Sequence, residues 1–246
     1  GRDVVTANKP VVAEHGPLLE ALAARHGRRL AYSASVGGSL PALELARAAA
    51  AAGQPRALEG VLNGTCNYIL DRVAAGAAFD EALAEAQRLG YAEADPAQDL
   101  SGDDAAAKLR ILARAAFGAE LGREAVRVAG IAGLDDAGVR DGAADGVATR
   151  LVAGCRLGGN VLESEVGPRR VPASGALAQV RGEWNLLRIE LEDGAEVVAR
   201  GKGAGRWPTA EAVFADIMDA WRATATAAAE LDVAEDRLEP ARRAVA

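Results

Sequence analysis

Five carboxylates fall within the twelve residues 93–104 (Glu93, Asp95, Asp99, Asp103 and Asp104), and a lone lysine, Lys108, follows on what reads as a helix. Dense carboxylates bind a primary ammonium. A lysine in a partly dry cleft has its pKa lowered enough to give up a proton near neutral pH. Taken alone, Asp104 and Lys108 are a solvated pair four residues apart, worth about 0.3–0.5 kcal/mol. The density of acids around one lysine at the head of an apolar helix argues instead for a site that holds a cation and moves a proton. Lys9 is a second candidate proton donor; its plainer alternative is a surface lysine at a strand end.

Local signals say what must position these groups. Ser101 is a good N-cap, Asp103 and Asp104 occupy the first turn, and an Ala/Leu/Ile run carries the helix to Phe117. Asp104 and Lys108 therefore share one face. Pro96 breaks the preceding loop and frees Glu93, Asp95 and Asp99 to converge on the helix start. Another helix, Asp80 to Leu89, ends at Gly90 as a glycine stop. Gly64 and Thr65 open a helix running to Ala74, where free N–H groups suit a carboxylate or an amide oxygen; a plain helix cap explains them nearly as well.

Upstream, residues 3–7 read as a buried strand ending at Asn8-Lys9-Pro10. A helix from Pro17 to about His26 and a strand from Leu30 to Ala34 follow. A helix then runs from Pro41 to about Ala51, and 57–62 is strand-like. Residues 149–201 alternate apolar and polar between the turns Gly158-Gly159-Asn160 and Glu192-Asp193-Gly194, the pattern of an antiparallel sheet. Such a sheet with an unmatched face predicts a homodimer, with Leu151, Val161, Leu187 and Ile189 at the interface. Thr209 to about Ala223 is helical, and 224–246 reads as a terminal helix or frayed tail.

The 246 residues carry a net charge of −7, which offers no field for nucleic acid or an anionic membrane. No apolar stretch approaches the roughly 20 residues that span a bilayer, and no signal peptide is visible. Cys66 and Cys155 lack the spacing of a disulfide framework or zinc site. A cytoplasmic protein acting on a small molecule fits these bounds.

Five ordered motifs resemble homoserine dehydrogenases. They are Val4-Val5-Thr6-Ala7-Asn8-Lys9-Pro10, the segment Ala34 to Pro41, Asn63-Gly64-Thr65-Cys66-Asn67-Tyr68-Ile69-Leu70, the block Gly90 to Lys108, and Gly201-Lys202-Gly203-Ala204-Gly205 with Pro208-Thr209-Ala210. The resemblance implies an α/β (α+β overall) protein. Residues 1–38 would be the distal part of a Rossmann-like nucleotide domain. Residues 39–203 would form an α+β catalytic and dimerisation domain with a mixed or antiparallel sheet. Residues 204–246 would be a helix returning to the nucleotide domain, with a tail.

It also implies NAD- or NADP-dependent interconversion of L-aspartate 4-semialdehyde and L-homoserine, on the route to threonine, methionine and isoleucine. Lys108, with Lys9, would be catalytic. Glu93, Asp104, Asp99 and Thr65 would bind the amino-acid substrate, and Lys9, Gly64, Gly90, Gly203 and Gly205 the cofactor. In such enzymes a loop like Ser33 to Leu40 binds sodium through carbonyls, here those of Val36, Gly38 and Leu40, although Ser33 stands where an acid is usual. The glycine-rich dinucleotide turn of that family has no counterpart in the chain, so the sequence looks like the distal portion of a longer enzyme. Two readings compete: a non-catalytic substrate and dimer fragment, and a semialdehyde dehydrogenase with Cys66 as nucleophile.

Overall fold

The computed structural model describes residues 1–203 and 205–243, with side chains through 225. Ala204 and the terminal side chains lie outside the described residues. Two short strands, β1 (Val4–Val5) and β2 (Leu30–Ala31), pair in parallel on either side of helix α1 (Lys9–Arg25). Here the sequence reading is corrected. Lys9 opens α1 instead of closing a strand, because Asn8 caps the helix by accepting from Val11 N at 3.2 Å. Pro10 then falls in the first turn, where its missing N–H costs nothing. The expected second strand is cut short by a 3₁₀ turn at Ser33–Ser35.

The remaining helices are α2 (Ala42–Ala52), α3 (Gly64–Ala74), α4 (Phe79–Arg88), α5 (Ala97–Leu100), α6 (Asp103–Phe117), α7 (Asp136–Ala144) and α8 (Arg206–Arg243). A six-stranded sheet in the order β4-β6-β5-β3-β7-β8 organises them. Its strands are β3 (Pro55–Val61), β4 (Arg127–Val128), β5 (Val147–Gly158), β6 (Val161–Pro172), β7 (Trp184–Leu191) and β8 (Glu196–Lys202). Only the β4–β6 pair is parallel. The early strand β3 sits between β5 and β7, so the turn leaving it emerges from the middle of the sheet.

One face of the sheet is the core. Leu58, Leu151, Ala153, Leu187 and Ile189 pack with Leu43, Ile69, Leu70, Leu109 and Leu112 of α2, α3 and α6. Alanines at 46, 105 and 113 let these helices approach closely. Leu151, Leu187 and Ile189 are thus buried inside the chain and cannot form an interface, while Val161, at the β5–β6 turn, is 65 % exposed. The period-2 alternation was legible; the face each residue takes follows from the helices, which claim the apolar one.

The opposite face carries a small apolar cluster at one end, where Leu177, Ala178 and Val180 cover Val61, Val152 and Leu186. The rest bears cross-strand ion pairs. Glu59 accepts from both Arg169 and Arg188, Arg156 reaches Glu190 at 2.8 Å, and Arg188 reaches Glu196 at 3.0 Å. A cavity of about 630 Å³ opens there over β3, β5 and β6, with the β4 segment along its side. The helix α8 runs past its expected end through an alanine-rich stretch of high helix propensity. Its Trp207, Phe214 and Trp221 recur every seven residues, and with Ile217 they leave an exposed apolar stripe.

Candidate active site

The site starts at the turn from β3 into α3. Asn63, extended at φ −129° and ψ 109°, is the N-cap of α3, its Oδ1 accepting from Cys66 N at 2.8 Å. That bond orients the amide, and Nδ2 donates to Asp99 Oδ1 at 2.7 Å and to Asp104 Oδ2 at 2.9 Å. Asp104 enters from the first turn of α6. The α6 N-cap is Gly102, left-handed at φ +86°, and not Ser101 as expected. The chain must reverse sharply between α5 and α6, which only glycine does without strain, and the Ser101 hydroxyl donates instead to Asp103 at 2.8 Å.

Lys108 lies one turn further along α6. Its Nζ is 2.8 Å from Asp104 Oδ2 and donates to the Leu62 carbonyl at 2.7 Å. Lys9, from the start of α1, donates to the other oxygen of Asp104. Two lysines from separate helices thus share one buried carboxylate. Burial alone would raise the Asp104 pKa; the ammonium of Lys108, then that of Lys9, overcomes it and holds the carboxyl well below the usual carboxylate range. Lys108 is 5 % exposed, whereas the Lys9 side chain is 26 % exposed. The pair is therefore not the solvated surface bridge that spacing alone would allow.

The other anticipated residues divide. Thr65 Oγ1 donates to the Tyr91 carbonyl at 2.6 Å, fastening the turn after α4 to the start of α3. The N–H groups of Gly64 and Thr65 meet no acceptor among the described residues and sit at the positive end of α3. A nicotinamide amide or a substrate carboxylate fits that pair of donors. Gly90, at φ +79°, terminates α4 as the sequence predicts.

Asp99 is held by Asn63 and not by Lys108, since Leu62 supplies the lysine's second acceptor. Both oxygens of Asp104 are occupied by Lys9, Lys108 and Asn63, whereas Asp99 has one oxygen without a partner among the described residues. Glu93 is on an exposed loop, and its carboxylate has no hydrogen bond or ion pair among the described residues; only its carbonyl is engaged, by Gln87 at 3.2 Å.

The Val36, Gly38 and Leu40 segment is bound to the end of β8: Ser39 N donates to the Lys202 carbonyl at 3.0 Å, and the Leu40 carbonyl accepts from Ala42 N at 2.7 Å. The latter takes one of the carbonyls expected to face sodium. A Cβ on Gly203 would overlap the side-chain amide of Asn185, so a larger residue there forces that amide to shift. Gly205, at φ +121°, turns the chain into α8. Asn185 itself is fully buried, with neither amide atom hydrogen-bonded.

Cys66 is no nucleophile. It is fully buried, its thiol donates to the Asp99 carbonyl at 3.1 Å, and burial, then Asp99 and Asp104, pushes its pKa up, away from the thiolate. Sequence reasoning missed Asn63 and Asn185. An Asn-Gly pair ahead of a helix is a recognisable capping signal for the first; nothing marks the second, which looks like one polar residue in an alternating strand.

Comparison with known proteins agrees with this architecture. A sequence model described as homoserine dehydrogenase matches residues 41–218. The homoserine dehydrogenase of Neisseria gonorrhoeae is 38% identical over 220 residues, covering 89% of this chain and 51% of the relative. An NAD(+)-dependent homoserine dehydrogenase of Pseudomonas canavaninivorans is 36% identical, covering 89% of this chain and 62% of the relative. Among solved structures, a homoserine dehydrogenase from Thiobacillus denitrificans superposes with a TM-score of 0.86 at 38% identity, covering 91% of this chain and 52% of that one. A hyperthermophilic archaeal homoserine dehydrogenase mutant in complex with NADPH gives 0.76 at 30% identity, over 89% of this chain and 63% of that one. The chain spans about half the length of most of the curated relatives it matches. With its ordered motifs, its mixed sheet and this match over most of its length, the chain belongs to the homoserine dehydrogenase family.

Proposed function

We propose that this chain carries the substrate and proton-transfer part of an NAD(P)-dependent oxidoreductase that interconverts L-aspartate 4-semialdehyde and L-homoserine, a step toward threonine, methionine and isoleucine. The observation that carries the reading is the Lys9–Asp104–Lys108 triad beside the free N–H groups of α3. In the reducing direction the dihydronicotinamide supplies the hydride to the aldehyde carbon. The protein supplies the proton that the oxygen must gain. Lys9 is the better placed to deliver it: one N–H is bound to Asp104 and the side chain is partly exposed, whereas Lys108 spends two of its three N–H groups internally. Lys108 keeps Asp104 ionised and adds positive charge where the alkoxide develops.

Asp99, and Glu93 if the loop closes on the substrate, would pair with the α-ammonium, and Gly64 and Thr65 would hold a carboxylate or the nicotinamide amide. The relative named NAD(+)-dependent and the NADPH complex support both forms of the cofactor. A homodimer through the ion-paired sheet face and a cytoplasmic setting belong to the same proposal; no described helix is long and apolar enough to cross a membrane. The test is oxidation of L-homoserine with NADP⁺ or NAD⁺, followed by absorbance of the reduced cofactor. No turnover with either nucleotide, from protein whose melting temperature NADPH raises, rejects the reading; a melting temperature that NADPH leaves unmoved favours a non-catalytic fragment.

A further inference from the structure

The cap of α3 does more than start a helix. At an N-cap, Asn, Asp and Ser serve about equally well, because only a side-chain oxygen is needed. Asn63 differs from the other two in what remains after capping. With Oδ1 committed to Cys66 N, its amide nitrogen faces two carboxylates, Asp99 at 2.7 Å and Asp104 at 2.9 Å, and the side chain is 3 % exposed. One buried nitrogen therefore separates two anionic oxygens that would otherwise face each other.

We propose that Asn63 is a positioning residue of this site: capping α3 with its oxygen obliges its amide to donate to Asp99 and Asp104 together, which fixes the carboxylate on which Lys9 and Lys108 are seated. The role in catalysis rests on the oxidoreductase reading above; the electrostatic role does not. The charged and titratable groups around the amide are Asp99 from α5, Asp104 and Lys108 from α6, Lys9 from α1 and the Cys66 thiol of α3. Two negative and two positive charges balance there, and the amide lets the two carboxylates lie close without adding a third.

The variants N63D and N63S test this on the 246-residue chain. N63D keeps the cap but replaces the donor with a carboxyl pressed between Asp99 and Asp104. Its pKa in the fold is raised above the unfolded value, so the fold is intact at low pH and loses stability as pH rises through the raised value. We expect the melting temperature of N63D, relative to the unmodified chain, to be lower by about 5 °C or more at about pH 8 than at about pH 5.5. N63S keeps a capping oxygen but cannot span to Asp99, and should show a smaller offset that does not change with pH.

In turnover, kcat of N63D relative to the unmodified chain should fall about 100-fold at pH 8 and regain about tenfold toward pH 6, while N63S loses about tenfold. An N63D offset in melting temperature that is the same at both pH values overturns the proposal. So does N63S with unchanged kcat, which also decides the matter if N63D fails to fold. If NADPH stabilises the unmodified chain yet it shows no turnover, while N63D keeps its pH-dependent melting, the oxidoreductase reading fails and the positioning role of Asn63 stands.

Discussion

Lys108 is tied at two points, to Asp104 Oδ2 at 2.8 Å and to the Leu62 carbonyl at 2.7 Å, and so links α6 to the last residue before the α3 turn. Replacing it by methionine removes a buried charge and leaves the Leu62 carbonyl without its donor. We expect kcat of Lys108→Met to fall by about 10²-fold or more, the usual span for losing preorganised charge where the alkoxide develops. Lys9→Met should lower kcat at least as much with little loss of melting temperature, because Lys9 has fewer internal bonds. A Lys9→Met enzyme retaining over half its kcat would return the proton to Lys108.

Asp104→Asn tests the shared carboxylate through stability. Removing one partner of a buried ion pair typically costs about 3–5 kcal/mol. The folded pKa of Asp104 is depressed, so its contribution is present above the unfolded value, near about 4, and is lost as pH falls toward the folded one. Thermal melts of the unmodified chain should therefore decline more steeply below about pH 4 than those of Asp104→Asn. Parallel curves for the two proteins would contradict the assignment.

Gly203 and Asn185 occupy one space between them. Gly203→Ala should destabilise the chain by about 1–3 kcal/mol, as overpacking does. Asn185→Ala in the same molecule should restore most of that loss, although each single variant is no better than the parent. A double-mutant cycle with no coupling would show that the clash is relieved elsewhere.

Assembly is tested by sedimentation at micromolar concentration, where twice the mass of one chain is expected. Glu59, Arg156, Arg169 and Arg188 lie on the face proposed to meet its copy, so added salt should weaken the association. A monomer at every concentration would reject this face as an interface.

The chemistry-bearing part of the chain was the most legible from sequence. The pairing of Asp104 with Lys108 on one face of α6 and the Gly90 stop were legible because helix periodicity is local, whereas the cap expected at Ser101 moved to Gly102. What the sequence hid depends on distant packing. Nothing near Lys9 tells that it will cross to α6, and nothing near Asp99 tells that Asn63 will reach it before Lys108 does. The sheet shows the same division. Alternation in β5 and β7 was evident, but which face the helices would claim depended on β3 being inserted between those strands. The α7 helix and the short β4 strand were not anticipated, since Asp136–Ala144 holds two glycines and β4 is only two residues long.

The three tryptophans give the chain an optical property that follows from their placement. Trp207 and Trp221 stand 80 % and 63 % exposed on the apolar stripe of α8, and Trp184 is 44 % exposed beside Asn185 at the start of β7. All three indoles see water, so intrinsic emission should be red-shifted and open to quenching by small solutes. Anything laid along α8 would move the emission of two of the three toward the blue, and a nicotinamide seated near β7 would dim the third, giving separate colours to two events in an otherwise unlabelled protein.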